Sequence, residues 1–225
     1  MVALVFPALP TVTLPVTGRA ERFPIRRVFC VGRNYAEHSR EMGGDPEAEP
    51  PFFFTKPADA VVESGSRIPY PPATANLHHE AELVVAIGRS GAMLTEAEAE
   101  ALVWGHASGN DLTRRDLQAE AKATRRPWDM SKAFDKSAIV GSIRPGPIGD
   151  APIRCIVNGT QRQSARLSDM VWSVPAIIAA LSRLVSLAPG DLIFTGTPAG
   201  VGPLVSGDIC TVEIEGLPHA TVTIA

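Results

Sequence analysis

The chain has 225 residues, with 21 Lys and Arg against 24 Asp and Glu, 45% apolar and 6% aromatic residues, the composition of an ordinary soluble globular protein. A chain of this size builds a core without a disulfide or a zinc site. Its formal net charge of -3 offers no basic field for a phosphate backbone and argues against nucleic-acid binding.

No stretch approaches the roughly 20 apolar residues of a membrane helix, so the expected partners are small molecules and protein surfaces. Cys30, Cys155 and Cys210 form no CxxC pair, which points to a reducing compartment, the cytoplasm. The apolar N-terminal stretch has no preceding Lys or Arg and is interrupted by Pro7, Pro10 and Pro15. Residues 1–20 are therefore expected to be an extension packed on a single domain, 21–225, rather than a secretion signal.

In chain order, Val28 to Val31 reads as a short buried strand, and Asn34 is placed to cap a helix from Tyr35 to about Met42. Gly43-Gly44 ends that helix, and the polar, proline-containing stretch Asp45 to Pro51 is expected to be an exposed flap before the apolar Phe52-Phe53-Phe54. From Glu80 to Ile87 the pattern has period two. Ala81, Leu83, Val85 and Ile87 take one face of a strand, and Glu80, Glu82, Val84 and Ala86 the other.

Thr95 with Glu98 makes a capping box for a helix to about Val103. Thr113 with Asp116 suggests a second helix, ending before Pro127. Ser173 caps a third, with Pro175 in its first turn. Ile153 to Val157, the Asn158-Gly159 turn and Gln161 onward read as a hairpin, and 191–194, 209–214 and 220–224 as further strands. The sum is a strand-rich α+β protein with few, short helices.

Glu80 and Glu82 lie about 6 to 7 Å apart at their bases on one strand face and can converge on a point. A lone Glu-x-Glu is more often a solvated face. Here His78-His79 precede the pair, apolar residues follow it, and Gly109-Asn110-Asp111 brings another carboxylate to a strand end. Three carboxylates with no matching cation beside them in sequence suit Mg²⁺ or Mn²⁺ better than zinc.

His38 and Glu41 are three apart on a helix and share a face, so the carboxylate can orient the imidazole as a general base, although such a pair is also common on helix surfaces. The segment Thr195 to Gly202 is a strand end running into a loop of Gly and hydroxyls. It fits either an anion-binding nest or a tight structural turn.

Taken together, 31–38 (Val-Gly-Arg-Asn-Tyr-Ala-Glu-His), Phe54-Thr55-Lys56-Pro57, His79-Glu80-Ala81-Glu82-Leu83, Asn110-Asp111 and the block from Thr195 to Gly202 resemble the fumarylacetoacetate hydrolase family in order and spacing. Within it, the Phe-Thr-Lys-Pro block and Leu112 to Gln118 look closest to the short bacterial acylpyruvate hydrolases.

The resemblance implies a mixed β-sandwich roll of the family's C-terminal-domain type, a homodimer, and Mg²⁺ or Mn²⁺ on Glu80, Glu82 and Asp111. It further implies His38 and Glu41 as the water-activating pair, Lys132 as the active-site lysine, Arg115 and Gln118 near substrate oxygens, and Thr195, Gly196 and Thr197 facing the substrate carboxylate. Arg33, Tyr35 and Lys56 sit in matching blocks without an assigned role. At position 106 the family pattern has an aromatic where this chain has His106, a change expected to alter packing beside the metal.

The implied reaction is metal-dependent C–C cleavage of a 2,4-dioxo acid such as fumarylpyruvate. Oxaloacetate decarboxylation, or a tautomerase/decarboxylase role in aromatic-acid breakdown, is the alternative on the same machinery, and a noncatalytic metal-bound binding protein is a remote one.

Overall fold

The computed structural model describes residues 4–41 and 50–225, apart from the side chains of Ser39 and Glu41. The expected flap at 42–49 lies outside the described residues.

Two small strands open the chain, β1 (Thr13–Pro15) and β2 (Arg22–Pro24), paired with each other. Next come β3 (Arg27–Gly32), α1 (Ala36–Glu41), β4 (Phe52–Lys56), β5 (Val61–Glu63), β6 (Ser66–Ile68), β7 (Leu77–His79) and β8 (Ala81–Ile87). The middle of the chain holds α2 (Glu96–Glu100), β9 (Val103–Asp111), β10 (Thr113–Arg114), α3 (Arg115–Thr124) and α4 (Asp129–Lys132). It continues through β11 (Ala138–Val140), β12 (Arg144–Pro145), β13 (Pro152–Val157) and β14 (Thr160–Arg166). The chain closes with α5 (Val174–Ser182), β15 (Asp191–Phe194), β16 (Gly202–Leu204), β17 (Ile209–Ile214) and β18 (Ala220–Ile224).

Two mixed sheets carry the fold, the strand-rich α+β architecture expected. The larger runs β4-β3-β15-β8-β9-β11-β5, and the smaller β14-β13-β17-β18-β6. Strand β8 lies inside the larger sheet, and its period-two pattern sorts its side chains between two cores. Ala81, Leu83, Val85 and Ile87 join the larger core, between the sheets, while Val84 and Ala86 join a second core with Leu14, Val16 and Phe23. A one-residue slip of β8 would exchange the two sets, so its register is strongly specified.

Local chemistry sets most of the ends. Thr95 and Glu98 close the expected capping box, yet α2 stops at Glu100, because Val103 already begins β9. Ser173 Oγ accepts from Ala176 N–H at the start of α5, with Pro in its first turn. Asn158 and Gly159 both have positive φ, 51° and 78°, as the tight hairpin between β13 and β14 requires.

Two expected caps do not form. Asn34 spends its side chain on Trp172 and on the carbonyl of Thr195, tying three loops together. Thr113 Oγ1 donates to the Asp111 carbonyl, while Asp116 accepts from Thr74 Oγ1 and the Ala75 and Leu117 N–H groups. Helix α3 therefore starts at Arg115 without a side-chain cap. Among the described residues no helix is long and apolar enough to cross a membrane.

Candidate active site

Glu80, Glu82 and Asp111 meet at the shared end of β8 and β9, all buried, each offering an oxygen within 4.8 Å of the others. The antiparallel register that places Ala81 opposite Asn110 brings them together, reinforced by Glu80 N–H donating to Asn110 Oδ1 at 3.0 Å. The backbones approach closely because Gly109 lacks a side chain; a Cβ there would stand 2.4 Å from Val84 Cγ2.

In sequence the three carboxylates have no cationic neighbours, but the fold supplies three from separate elements. Lys132 Nζ, at the end of α4, bridges Glu80 Oε2 at 2.6 Å and Asp111 Oδ2 at 2.9 Å. Arg115, opening α3, reaches Glu80 Oε1 at 2.5 Å. Lys56, ending β4, lies 2.7 Å from Asp111 Oδ1 but directs its hydrogen bonds to the Leu112 and Lys132 carbonyls.

Burial raises the Glu80 pKa, yet Lys132 and Arg115 outweigh it and hold the group well below the usual carboxylate range. For Lys132 burial lowers the pKa, and Asp111 and Glu80 outweigh it in the opposite direction. Glu82 is different. Burial, then the charges of Asp111 and Glu80, push it well above the usual range, and it accepts a hydrogen bond from Gly196 N–H at 2.8 Å.

Two features fit a hard divalent cation: Asp111 Oδ1 accepts no hydrogen bond although buried, and Glu82 has too little positive charge beside it. An all-carboxylate set of this kind suits Mg²⁺ or Mn²⁺.

A cleft opens over the triad. Its wall includes His38 from α1, Arg115, Gln118 and Lys132, with Phe54 and Trp128 as an aromatic side. His38 is buried there, while the Glu41 side chain lies outside the described residues.

Of the three expected substrate-facing loop residues, Thr197 alone lines the cleft. Thr195 Oγ1 donates to the Leu83 carbonyl, and Gly196 turns its N–H to Glu82. Gly196 has φ +97°, and a Cβ would meet that of Asn34 at 2.6 Å, so this loop needs glycine to reach the triad.

His78 and His79 bond other groups than the carboxylates: His78 meets Asn76 and accepts from Arg115 Nε at 3.4 Å, and His79 meets Gln163. His106 bonds the Gly146 carbonyl five residues before Asp111, roughly 17 Å along the strand. The expected disturbance beside the metal does not arise.

One residue escaped the sequence reading. Gln163 is the only fully buried side chain of β14, and its amide is used completely. Its Nε2 donates to Thr197 Oγ1 and to the Pro198 carbonyl, each at 2.8 Å, while Oε1 accepts from Ala81 N–H at 3.0 Å and meets His79 Nδ1 at 3.0 Å. Since the Pro198 carbonyl only accepts, the amide orientation is fixed and His79 Nδ1 carries the proton. Because Thr197 Oγ1 already accepts from Gln163, its own proton is left for another acceptor.

Gln163→Leu strands these partners in the interior, at about 1 to 3 kcal/mol for each. Denaturant titration should register a loss of about 3 kcal/mol or more; a loss below about 1 kcal/mol would mean that the network does not brace the loop.

Residues 27–225 match the family model described as "Fumarylacetoacetate (FAA) hydrolase C-terminal". The chain belongs to this family. Its relatives include a fumarylpyruvate hydrolase of Ralstonia sp, 42% identical over 183 residues, covering 80% of this chain and 95% of that protein. An oxaloacetate tautomerase of Escherichia coli is 38% identical over 206 residues, covering 89% of this chain and 93% of the other. Among solved structures, fumarylpyruvate hydrolase from Pseudomonas aeruginosa, in complex with Mn²⁺ and pyruvate, superimposes with a TM-score of 0.96 at 47% identity, covering 99% of both chains.

Proposed function

We propose that the protein is a metal-dependent hydrolase that cleaves the C–C bond of an acylpyruvate, fumarylpyruvate to fumarate and pyruvate. The observation that carries this reading is the buried Glu80–Glu82–Asp111 triad opening on a cleft with His38 and Lys132, in a chain that matches the Mn²⁺- and pyruvate-bound relative from end to end.

A bound Mn²⁺ or Mg²⁺ supplies a Lewis acid that holds the 2-oxo acid end of the substrate and stabilises the departing enolate. His38 accepts a proton from the water that attacks the C4 carbonyl; Glu41, three residues on in α1, is assigned on spacing to orient the imidazole. Lys132, kept charged by Glu80 and Asp111, offsets the negative charge that builds on the attacked oxygen.

Arg115 and Gln118, joined at 2.6 Å, hold substrate oxygens, and the proton of Thr197 is available to the carboxylate. The C3–C4 bond then breaks, its electron pair leaves as pyruvate enolate, and a proton on C3 completes pyruvate while the acyl half departs as the acid. Thr195 and Gly196 serve this loop from behind, through Leu83 and Glu82.

The same reading takes 21–225 as one catalytic domain with residues 1–20 packed on it, supported by Leu14 and Val16 in the second core. It takes the working form as a homodimer, to be checked by sedimentation, and the cytoplasm as its compartment, supported by three buried free thiols.

A second reading, oxaloacetate tautomerase, is supported by the E. coli relative. Steady-state rates on fumarylpyruvate, acetylpyruvate, maleylpyruvate and oxaloacetate decide between them. A rate on oxaloacetate enolisation far above every acylpyruvate cleavage would overturn the first. His38→Ala should lower acylpyruvate turnover by about 10² or more, the size expected for loss of a general base, while Mn²⁺ affinity by calorimetry stays within about twofold. Wild-type turnover in that variant would remove His38 from the chemistry.

A further inference from the structure

The triad fixes where the 2-oxo acid end of the substrate lies, and the cleft runs outward from it along one face of α3. Arg115, Gln118 and Lys122 stand at i, i+3 and i+7, so they follow one another along that face. Arg115 and Gln118 occupy the inner end, where the guanidinium touches Glu80. Lys122 occupies the outer end and lines the same cleft, with its ammonium 5.2 Å from the centre of the Trp128 ring.

The backbone rise from residue 115 to 122 is about 10.5 Å. Both side chains lean toward the N-terminus, so the lean leaves this spacing unchanged, and the flexible four-carbon stem of Lys122 provides the reach to adjust it. An extended seven-carbon dioic acid spans about 7 to 8 Å between its carboxyl carbons at ordinary bond lengths. The ladder exceeds such a molecule by only about 3 Å, which the Lys122 stem can span.

We infer that Lys122, seated on Trp128, is the subsite for a second carboxylate at the far end of the substrate, which makes the preferred acylpyruvate a dianion. This rests on the acylpyruvate reading above. The charge pattern supports it. Lys122 is half-buried, and among the described residues no carboxylate comes within ion-pairing distance of it. Burial, then the charges of Arg33 and Arg115, lower its pKa to about 8, outweighing the opposing pull of Glu80. A half-buried ammonium beside other cations and stacked on an aromatic ring is a position that an incoming anion relieves. A surface lysine with no ligand would instead stand in water, away from the cleft.

The test uses Mn²⁺-loaded protein and two uncleavable 2-oxo acids of equal length, 2-oxopimelate, which ends in a carboxylate, and 2-oxoheptanoate, which ends in a methyl group. Calorimetric affinities are compared for wild type, Lys122→Met, Lys122→Gln and Lys122→Arg, each checked for its melting temperature. Wild type should prefer 2-oxopimelate by about tenfold or more, a gain of roughly 1.4 kcal/mol. The preference should fall below about threefold in the Met and Gln variants and return in Lys122→Arg.

No preference in wild type, a preference that survives in both neutral variants, or binding of neither acid overturns the subsite. Fumarylpyruvate turnover by wild type is measured separately. Its absence would sink the hydrolase reading, while the binding ratios still decide the role of Lys122.

Discussion

Glu82→Ala protein, stripped with chelator and returned to millimolar Mn²⁺, will cleave acylpyruvate at least about 10³-fold more slowly than wild type treated the same way, the scale of several kcal/mol of metal-supplied stabilisation. The reason lies in how the three carboxylates are compensated. Glu80 and Asp111 share Lys132, and each has a further cation in Arg115 or Lys56. Glu82 has no ion pair among the described residues, accepts from the Gly196 N–H, and is pushed well up in pKa by burial beside Asp111 and Glu80, which outweighs the pull of Lys132.

A divalent cation is what lets Glu82 stay ionised in that setting, and conversely Glu82 contributes the negative charge that the protein's own lysines do not already neutralise. Removing it leaves two carboxylates that are already matched, so the drive to bind a cation is lost. The same logic separates stability from affinity. The apo variant should melt within a few degrees of apo wild type, because a carboxyl that is costly to bury and the backbone hydrogen bond it accepts disappear together, while the Mn²⁺-induced rise in melting temperature should vanish. Full activity in metal-stripped Glu82→Ala would sink the metal assignment.

The acidic strand was readable because β8 obeys period two on both faces, each packing on a different core. Thr95 and Ser173 were readable because their caps are local and depend on residues three positions away. Strand β9 was legible only at its Asp111 end: Gly105, Ala107, Ser108 and Gly109 show none of the β-branched alternation that signals a strand. That smallness is what the packing needs, since a Cβ on Gly105 would stand 2.5 Å from the Arg144 carbonyl oxygen and one on Gly109 would meet Val84.

The failed cap at Thr113 has the same cause, a tertiary demand overriding a local pattern: Asp116 is taken by the loop at Thr74 and Ala75. The triad could be read from spacing, but its counter-charges could not, because Lys56, Arg115 and Lys132 come from β4, α3 and α4 and meet only in the folded chain. Gln163 left one signal, an amide between polar neighbours on an edge strand, and nothing in the sequence marks which of those polar side chains points inward.

Lys132→Met is expected to separate the two roles of the lysine. Methionine keeps most of the stem, and with it the packing near Phe54, whose ring centre lies 5.0 Å from Nζ, but it removes the charge that joins Glu80 to Asp111. Without metal, those two carboxylates and Glu82 keep Arg115 and Lys56 as their ion-pair partners among the described residues. Breaking a buried pair in this way costs about 3 to 5 kcal/mol, which chemical denaturation of the apo protein should register.

Adding Mn²⁺ should restore more stability to the variant than to wild type, since the cation then takes over the balancing charge and no longer competes with an ammonium for the same oxygens. Its affinity should rise accordingly. Turnover should not follow. With the ammonium gone, the donor that bridges Glu80 and Asp111 no longer faces the charge that grows on the attacked carbonyl, and the Mn²⁺-saturated variant should run about 10² to 10³ times slower than wild type. A lysine that serves only to neutralise the cluster predicts the opposite pairing, recovery of stability and of rate together, so a Mn²⁺-loaded Lys132→Met enzyme within about threefold of wild-type kcat would reduce Lys132 to a structural counterion.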